Sequence, residues 1–253
     1  MMFSDTPNLR LVVNAMGLVI PGFKDPLACQ QCWGWRELCD NRSLCSSCQV
    51  SVGSLGIPPP PVAPITLYAK PSAMRDALTN YKRIGEDFQQ RSHDLLASLL
   101  ARFWAQCSLA IRQQFGEWDS ICTIPSTQET PRASGIASLA ESARIAAADT
   151  TDWVRWTGSR IDPQQSNPDA FVSNAAQLLG RRFLLLDDVF TSGAHLYSAS
   201  HTLTARGGVV VGCVVIARRI NPHFNQYAQT YWDGRIGETP SWENWCNGFT
   251  TKG

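Results

Sequence analysis

Hydrophobic and polar positions along this chain alternate between two kinds of pattern. Unbroken apolar runs at residues 183–186 and 209–217 read as strands buried on both faces, as a parallel sheet covered by helices requires. Between them, residues 194–206 read as a helix ended by Gly207 and Gly208, so strand, helix and strand form a parallel βαβ unit. Shorter strands are expected at 65–68, 119–124 and 153–157. Helical spacing places Met74, Ala77, Leu78 and Tyr81 on one face of 72–81, and Leu95, Leu96, Leu99, Leu100, Phe103 and Trp104 on one stripe of 92–115. An Ala-rich helix is expected over 133–148, with Leu139 and Ile145 inward. Residues 162–174, polar and carrying Pro163 and Pro168, read as a mobile loop, either a lid or idle surface. Beyond Arg219 the chain carries Tyr227, Tyr231, Trp232, Trp242 and Trp245 without clear periodicity, and covering a sheet edge is the favoured use for them.

The 253 residues suffice for one principal domain and a small appendage, and the 44% hydrophobic and 17% charged content is that of a soluble globular protein. A net charge of +1 makes no global case for nucleic acid or membrane binding. The apolar segment 11–20 follows Asp5, has only Arg10 as a basic residue and is too short to span a bilayer, so it reads as a core element of a cytoplasmic protein without membrane insertion. A Pro-rich stretch at 57–64 divides the chain as a stiff polyproline linker. It separates an N-terminal segment, 1–56, from an α/β domain, 65–219, with 220–253 as the tail.

The nine cysteines change this picture most. In a reducing compartment they argue for metal before disulfides. Cys29 and Cys32 form one CxxC knuckle, Cys45 and Cys48 a second, and together they supply the tetrahedral four-thiolate set that structural Zn²⁺ favours. A redox-active pair is the minor alternative. Cys39, between the knuckles, is a spare, and Trp33 and Trp35 are expected to pack over the metal turn, with base stacking as the other use.

The candidate chemistry lies where the 183–186 run ends in Asp187 and Asp188. Val189, Phe190, Thr191, Ser192, Gly193 and Ala194 follow, and a strand, a small polar turn and a helix N-terminus converge their amides on an anion such as phosphate. Carboxylates beside such a pocket repel phosphate but accept hydrogen bonds from hydroxyls, so the pair suits a ribose 5-phosphate. The alternatives are that the pair caps the strand end or holds Mg²⁺ in an acidic cluster. Lys82 and Arg83 are candidate cations for a pyrophosphate, and Ser126 and Thr127, in a turn after the 119–124 strand, could cradle its other end.

At these residues the chain resembles the phosphoribosyl-pyrophosphate loop of type I phosphoribosyltransferases. The order of zinc knuckles, linker, Lys82-Arg83 segment and ribose-phosphate loop resembles the ComF-type, competence-associated family over roughly residues 11–218. The resemblance implies a type I phosphoribosyltransferase-like parallel sheet flanked by helices, with a small N-terminal four-cysteine zinc module. It further implies zinc at Cys29, Cys32, Cys45 and Cys48, and ribose-phosphate contacts at Asp187, Asp188, Thr191, Ser192 and Gly193 with Lys82 and Arg83 in support. Mg²⁺ would arrive with phosphoribosyl pyrophosphate, and a homodimer is the family-level expectation. The chain departs from the family at Ser134-Gly135-Ile136-Ala137-Ser138, where only the glycine is kept, and lacks the Arg-containing stretch expected around 164–174. Three readings stay open: transfer of a phosphoribosyl group to an amine or base; binding of a nucleotide or single-stranded DNA in a DNA-uptake pathway; and a protein-binding scaffold.

Overall fold

The structure is a computed structural model and describes residues 16–38, 43–83, 87–127, 135–145, 153–173 and 178–250. Four parallel strands form its centre in the order β1 (Val62–Tyr68), β6 (Val209–Arg219), β5 (Arg182–Phe190), β2 (Ser120–Thr123). All seven residues of β1 are buried, as are Phe183–Leu186 of β5, which is why these segments carry apolar residues without alternation. Their side chains divide by parity between two cores. Ile65, Leu184, Leu186, Val214 and Ile216 face one side; Val62, Phe183, Leu185, Cys213 and Val215 face the other.

The first face is covered by α2 (Ala73–Asn80), α3 (Asp87–Phe115) and α4 (Ile136–Ser142), and by the tail helix α7 (Trp242–Thr250). Ser72 caps α2 by accepting from the Arg75 amide at 3.2 Å. By length and composition 88–115 of α3 could cross a membrane, but Leu96, Leu99, Leu100, Phe103 and Ile111 are fully buried in this core. The second face receives α5 (Ala194–Ala205), α1 (Ser46–Leu55), the cysteine cluster and a two-stranded antiparallel ribbon of β3 (Arg155–Trp156) and β4 (Phe171–Val172).

Several expectations shift in detail. β1 begins at Val62, so the last residues of the expected linker are strand, and Gln31 donates to the carbonyls of Pro59 and Pro60 at 2.8 and 2.6 Å. That part of the Pro-rich stretch lies against the first knuckle. Helix α4 ends near Ala143, shorter than the 133–148 pattern, whose ends fall outside the described residues together with Cys39 and Ser134. The segment expected to be a mobile loop is fastened along 162–173: the Asn167 amide donates to Ser198 Oγ at 2.8 Å, and Thr202 Oγ1 to the Phe171 carbonyl at 3.2 Å. Short side chains on α5 hold it, which a polar pattern alone does not disclose.

The tail forms a 3₁₀ turn (Pro222–Phe224), α6 (Gln226–Ile236) and α7. Trp245 is fully buried and its indole N–H donates 3.0 Å to the Pro64 carbonyl on edge strand β1. Val19 covers the same strand through an antiparallel bridge to Leu67, placing Met16–Ile20 in the core. Cys107 of α3 and Cys246 of α7 form a disulfide, with Cα atoms 5.7 Å apart, where all thiols were expected to be reduced.

Candidate functional site

Two chemically distinct centres lie on the second face and at the carboxyl edge of the sheet. At the first, Cys29, Cys32, Cys45 and Cys48 are buried with their sulfurs all within 4.8 Å of one another. Cys32 Sγ and Cys45 Sγ are 3.7 Å apart. Tetrahedral Zn–S bonds of ~2.3 Å imply sulfur separations of about 3.8 Å, so the cluster fits a metal such as zinc. All four donors are soft sulfurs and leave no open position. Burial pushes Cys32 up, but its sulfur neighbours and Arg218 outweigh it and hold the thiol well below its ordinary value, toward the thiolate a metal needs. Trp33 is buried against Phe23 and Phe249, and Trp35 packs on Phe224.

The second centre lies where β5 and β2 end, the edge at which open parallel sheets bind ligands. A cavity of about 260 Å³ is lined by Tyr81, Lys82, Ser126, Thr127, Asp187, Asp188, Val189 and His195, among others. A second cavity of about 230 Å³ shares Asp187, Val189 and His195 with it and continues along Thr191, Ser192, Gly193 and Ala194. Thus the expected ribose-phosphate residues and Lys82, Ser126 and Thr127 come together around two adjoining cavities. Arg83 does not line either of them; its side chain is exposed one residue beyond Lys82.

The two carboxyls are unlike. Asp188 is buried, accepts from the Tyr81 hydroxyl at 2.6 Å and pairs with Lys82. Burial raises its pKa, but Lys82 and Tyr81 more than offset this, leaving Asp188 ionised and below the ordinary value. Asp187 Oδ1 accepts from the Asp188 amide at 2.8 Å. Burial and the neighbouring Asp188 charge push Asp187 well above the carboxylate range. One carboxyl is therefore a fixed acceptor, and the other is the more readily protonated of the two.

The turn between β5 and α5 is specified by local crowding. Gly193 has φ +87°, and a Cβ there would lie 2.6 Å from both the Phe190 and Tyr197 rings. Ser192 Oγ donates to the Pro163 carbonyl, and the Ala194 amide lies 3.3 Å from the same oxygen of Ser192. Residues 161 and 163 of the fastened segment thereby line the second cavity.

His195 was not singled out in the sequence. It lines both cavities, and its Nε2 lies 2.9 Å from Thr127 Oγ1. Burial lowers its pKa against the pull of Asp188, which keeps the ring neutral at pH 7. Its place as the second residue of α5, pointing back over the turn, is the signal that could have found it. Lys70 and Arg219 were missed as well. β1 and β6 pair Tyr68 with Arg219 at the same edge, and Arg219, burial and Arg75 together lower the Lys70 pKa, so the three cations crowd one another. Tyr68 feels both Arg219 and Asp188, although neither Lys70 nor Arg219 lines either cavity.

In comparisons with known proteins, no family model matches the chain and no curated protein matches it.

Proposed function

We propose that this chain binds phosphoribosyl pyrophosphate or a nucleotide 5-phosphate at the carboxyl edge of its sheet, as a phosphoribosyltransferase-like protein. One observation carries the reading: Asp187 is shared by two adjoining cavities, one bordered by the small-residue turn and the other by Asp188 and Lys82. The amides of Thr191, Ser192 and Gly193 would take the 5-phosphate, and the carboxyls the ribose hydroxyls. Lys82, which lines the first cavity, would neutralise a diphosphate.

Transfer of the phosphoribosyl group to an amine or base is the reaction this arrangement suits. Diphosphate would leave the anomeric carbon as the nucleophile's nitrogen attacks it, and the neutral His195 ring lies between the two cavities, where it could accept the nucleophile's proton. Mg²⁺ would be held mainly by ligand oxygens, because Asp188 Oδ2 is already engaged by Tyr81 and Lys82. Against single-stranded DNA as the principal ligand, Trp33 is spent on packing and Trp35 is seated on Phe224.

Titration calorimetry with phosphoribosyl pyrophosphate and Mg²⁺ tests the reading. The wild type should bind, and Asp187→Ala combined with Asp188→Ala should weaken binding about 100-fold, the loss of two carboxyl hydrogen-bond sites. No binding by the wild type overturns the proposal. DNA binding that steepens as salt falls and ignores both substitutions would place nucleic acid on a separate surface.

A further inference from the structure

Two buried side chains each touch the cysteine cluster at one end and the 190–194 turn at the other. Arg218, at the end of β6, is 6% exposed. Its Nη1 donates to the carbonyls of Phe190 at 3.3 Å and Arg219 at 2.8 Å, and also to that of Thr191. Its guanidinium carbon sits 4.8 Å from the centre of the Phe190 ring. Nε and Nη2 turn the other way, into the knuckle loop, where they come within 2.9 and 2.8 Å of the place a Cβ on Gly34 would occupy. That loop is closed by Gly34 itself, whose carbonyl accepts from the Cys29 amide at 2.7 Å. Tyr197, fully buried on α5, repeats the bridge. Its hydroxyl is 3.7 Å from Cys48 Sγ, and its ring meets Phe190 edge-on at 5.6 Å and closes over Gly193.

We propose that Arg218 and Tyr197 couple the four-cysteine centre to the 190–194 turn, so that metal in the centre holds the turn in the shape that lines the second cavity. The argument is one of charge and contact. Four thiolates around a divalent ion leave a net charge of about −2 inside the protein, which needs a buried partner. Arg218 is that partner, since among the described residues it has no carboxylate within ion-pair reach. Unpaired, a buried guanidinium is costly, and removing the metal strips Arg218 of the charge that keeps it in place. The same guanidinium holds two turn carbonyls, so its displacement releases them. Tyr197 supplies a second, uncharged link by donating to a sulfur.

Amide hydrogen exchange tests the coupling without any ligand, so the result is independent of the phosphoribosyl reading. Stripping the metal from the zinc-loaded wild type should speed exchange at Ala194 and Tyr197, whose amides donate to Ser192 Oγ and to the Gly193 carbonyl, more than that of β2 and β5. Arg218→Lys keeps the charge but cannot reach both partners. It should leave zinc affinity within about 10-fold of wild type, measured against a chromophoric chelator, while the loaded protein exchanges at the turn as the stripped one does. Arg218→Met should weaken zinc by about 10–100-fold, the usual cost of losing an outer-shell partner. Tyr197→Phe, which keeps the ring, guards against a variant that fails to fold and should raise turn exchange with melting unchanged within a few degrees. Turn exchange indifferent to metal, a rise spread evenly over the sheet, or an Arg218→Lys protein with a protected turn would each overturn the proposal.

Discussion

The cysteine cluster and the acidic cavity sit at opposite ends of Arg218 and Tyr197 and solve opposite problems. In the cluster every donor faces its neighbours, all four sulfurs are buried, and a metal such as zinc would complete a closed shell. In the cavity the groups are mismatched: an ionised Asp188, an Asp187 carboxyl pushed well above its ordinary value, and a neutral His195. A saturated site stores stability. An unsaturated one, held rigid by its surroundings, has chemistry left to offer a ligand.

The comparison can be broken most violently at the cluster. Cys32→Ser removes one thiolate from a closed set, so the variant should lose its metal and melt well below wild type while the sheet still unfolds cooperatively. Metal analysis alongside calorimetric melting checks it; a zinc-free variant that melts like wild type would mean the cluster is not a structural metal centre. Lys82→Met should be smaller. It leaves Asp188 with the Tyr81 hydrogen bond but without its cation, and breaking a partly buried pair of this kind should cost about 2–3 kcal/mol, read by urea denaturation. Zinc content should stay unchanged, because the damage is confined to the cavity.

How far each centre was legible follows from how local its chemistry is. The four cysteines and the Asp187-Asp188 pair announce themselves by spacing, and the parallel sheet by apolar runs whose two faces are both covered. The groups that were missed are neighbours only in space. Tyr68 meets Arg219 because β1 and β6 are paired in register, although about 150 residues separate them in sequence. Arg218 looked like the charged stop of a strand, yet it is buried between the turn and the knuckle loop. In the tail a helical period is present in α7, whose buried Trp242, Trp245 and Phe249 are spaced i, i+3 and i+7, and was overlooked; α6 meets a different surface, with Tyr231 donating to the Trp33 carbonyl at 2.7 Å. The Cys107–Cys246 link likewise depends on α7 reaching α3, which nothing local encodes.

Gly193→Ala sharpens the contrast at an intermediate scale. The substitution adds a methyl to a left-handed residue and drives it into Phe190 and Tyr197, for a combined cost of about 1–3 kcal/mol. Because Tyr197 also touches Cys48, the damage should reach the cluster: zinc affinity should fall by a few-fold, whereas Lys82→Met leaves it alone. Chelator competition on the two variants side by side separates a coupled turn from an isolated one.

The smallest effect concerns the protonation mismatch itself. Asp187 has a folded pKa above its unfolded one, so its contribution to stability is fully present at acidic pH and is lost as pH rises through the raised value. Asp188 runs the other way: its folded pKa is depressed, so its contribution is present above the ordinary carboxylate value and is lost as pH falls through the depressed one. Asp187→Asn keeps the shape and a hydrogen-bond donor but cannot ionise. It should match wild type at a pH below the ordinary carboxylate range and become the more stable protein as pH rises, by about 2–4 °C for each kcal/mol of ionisation cost relieved. Asp188→Asn should be less stable than wild type at neutral pH and should close that gap on acidification. Thermal melting of the three proteins across acidic to alkaline pH reads both slopes. If the Asp187→Asn and wild-type curves stay parallel throughout, the Asp187 carboxyl is not pushed up in the folded protein and the cavity is a plain acidic cluster.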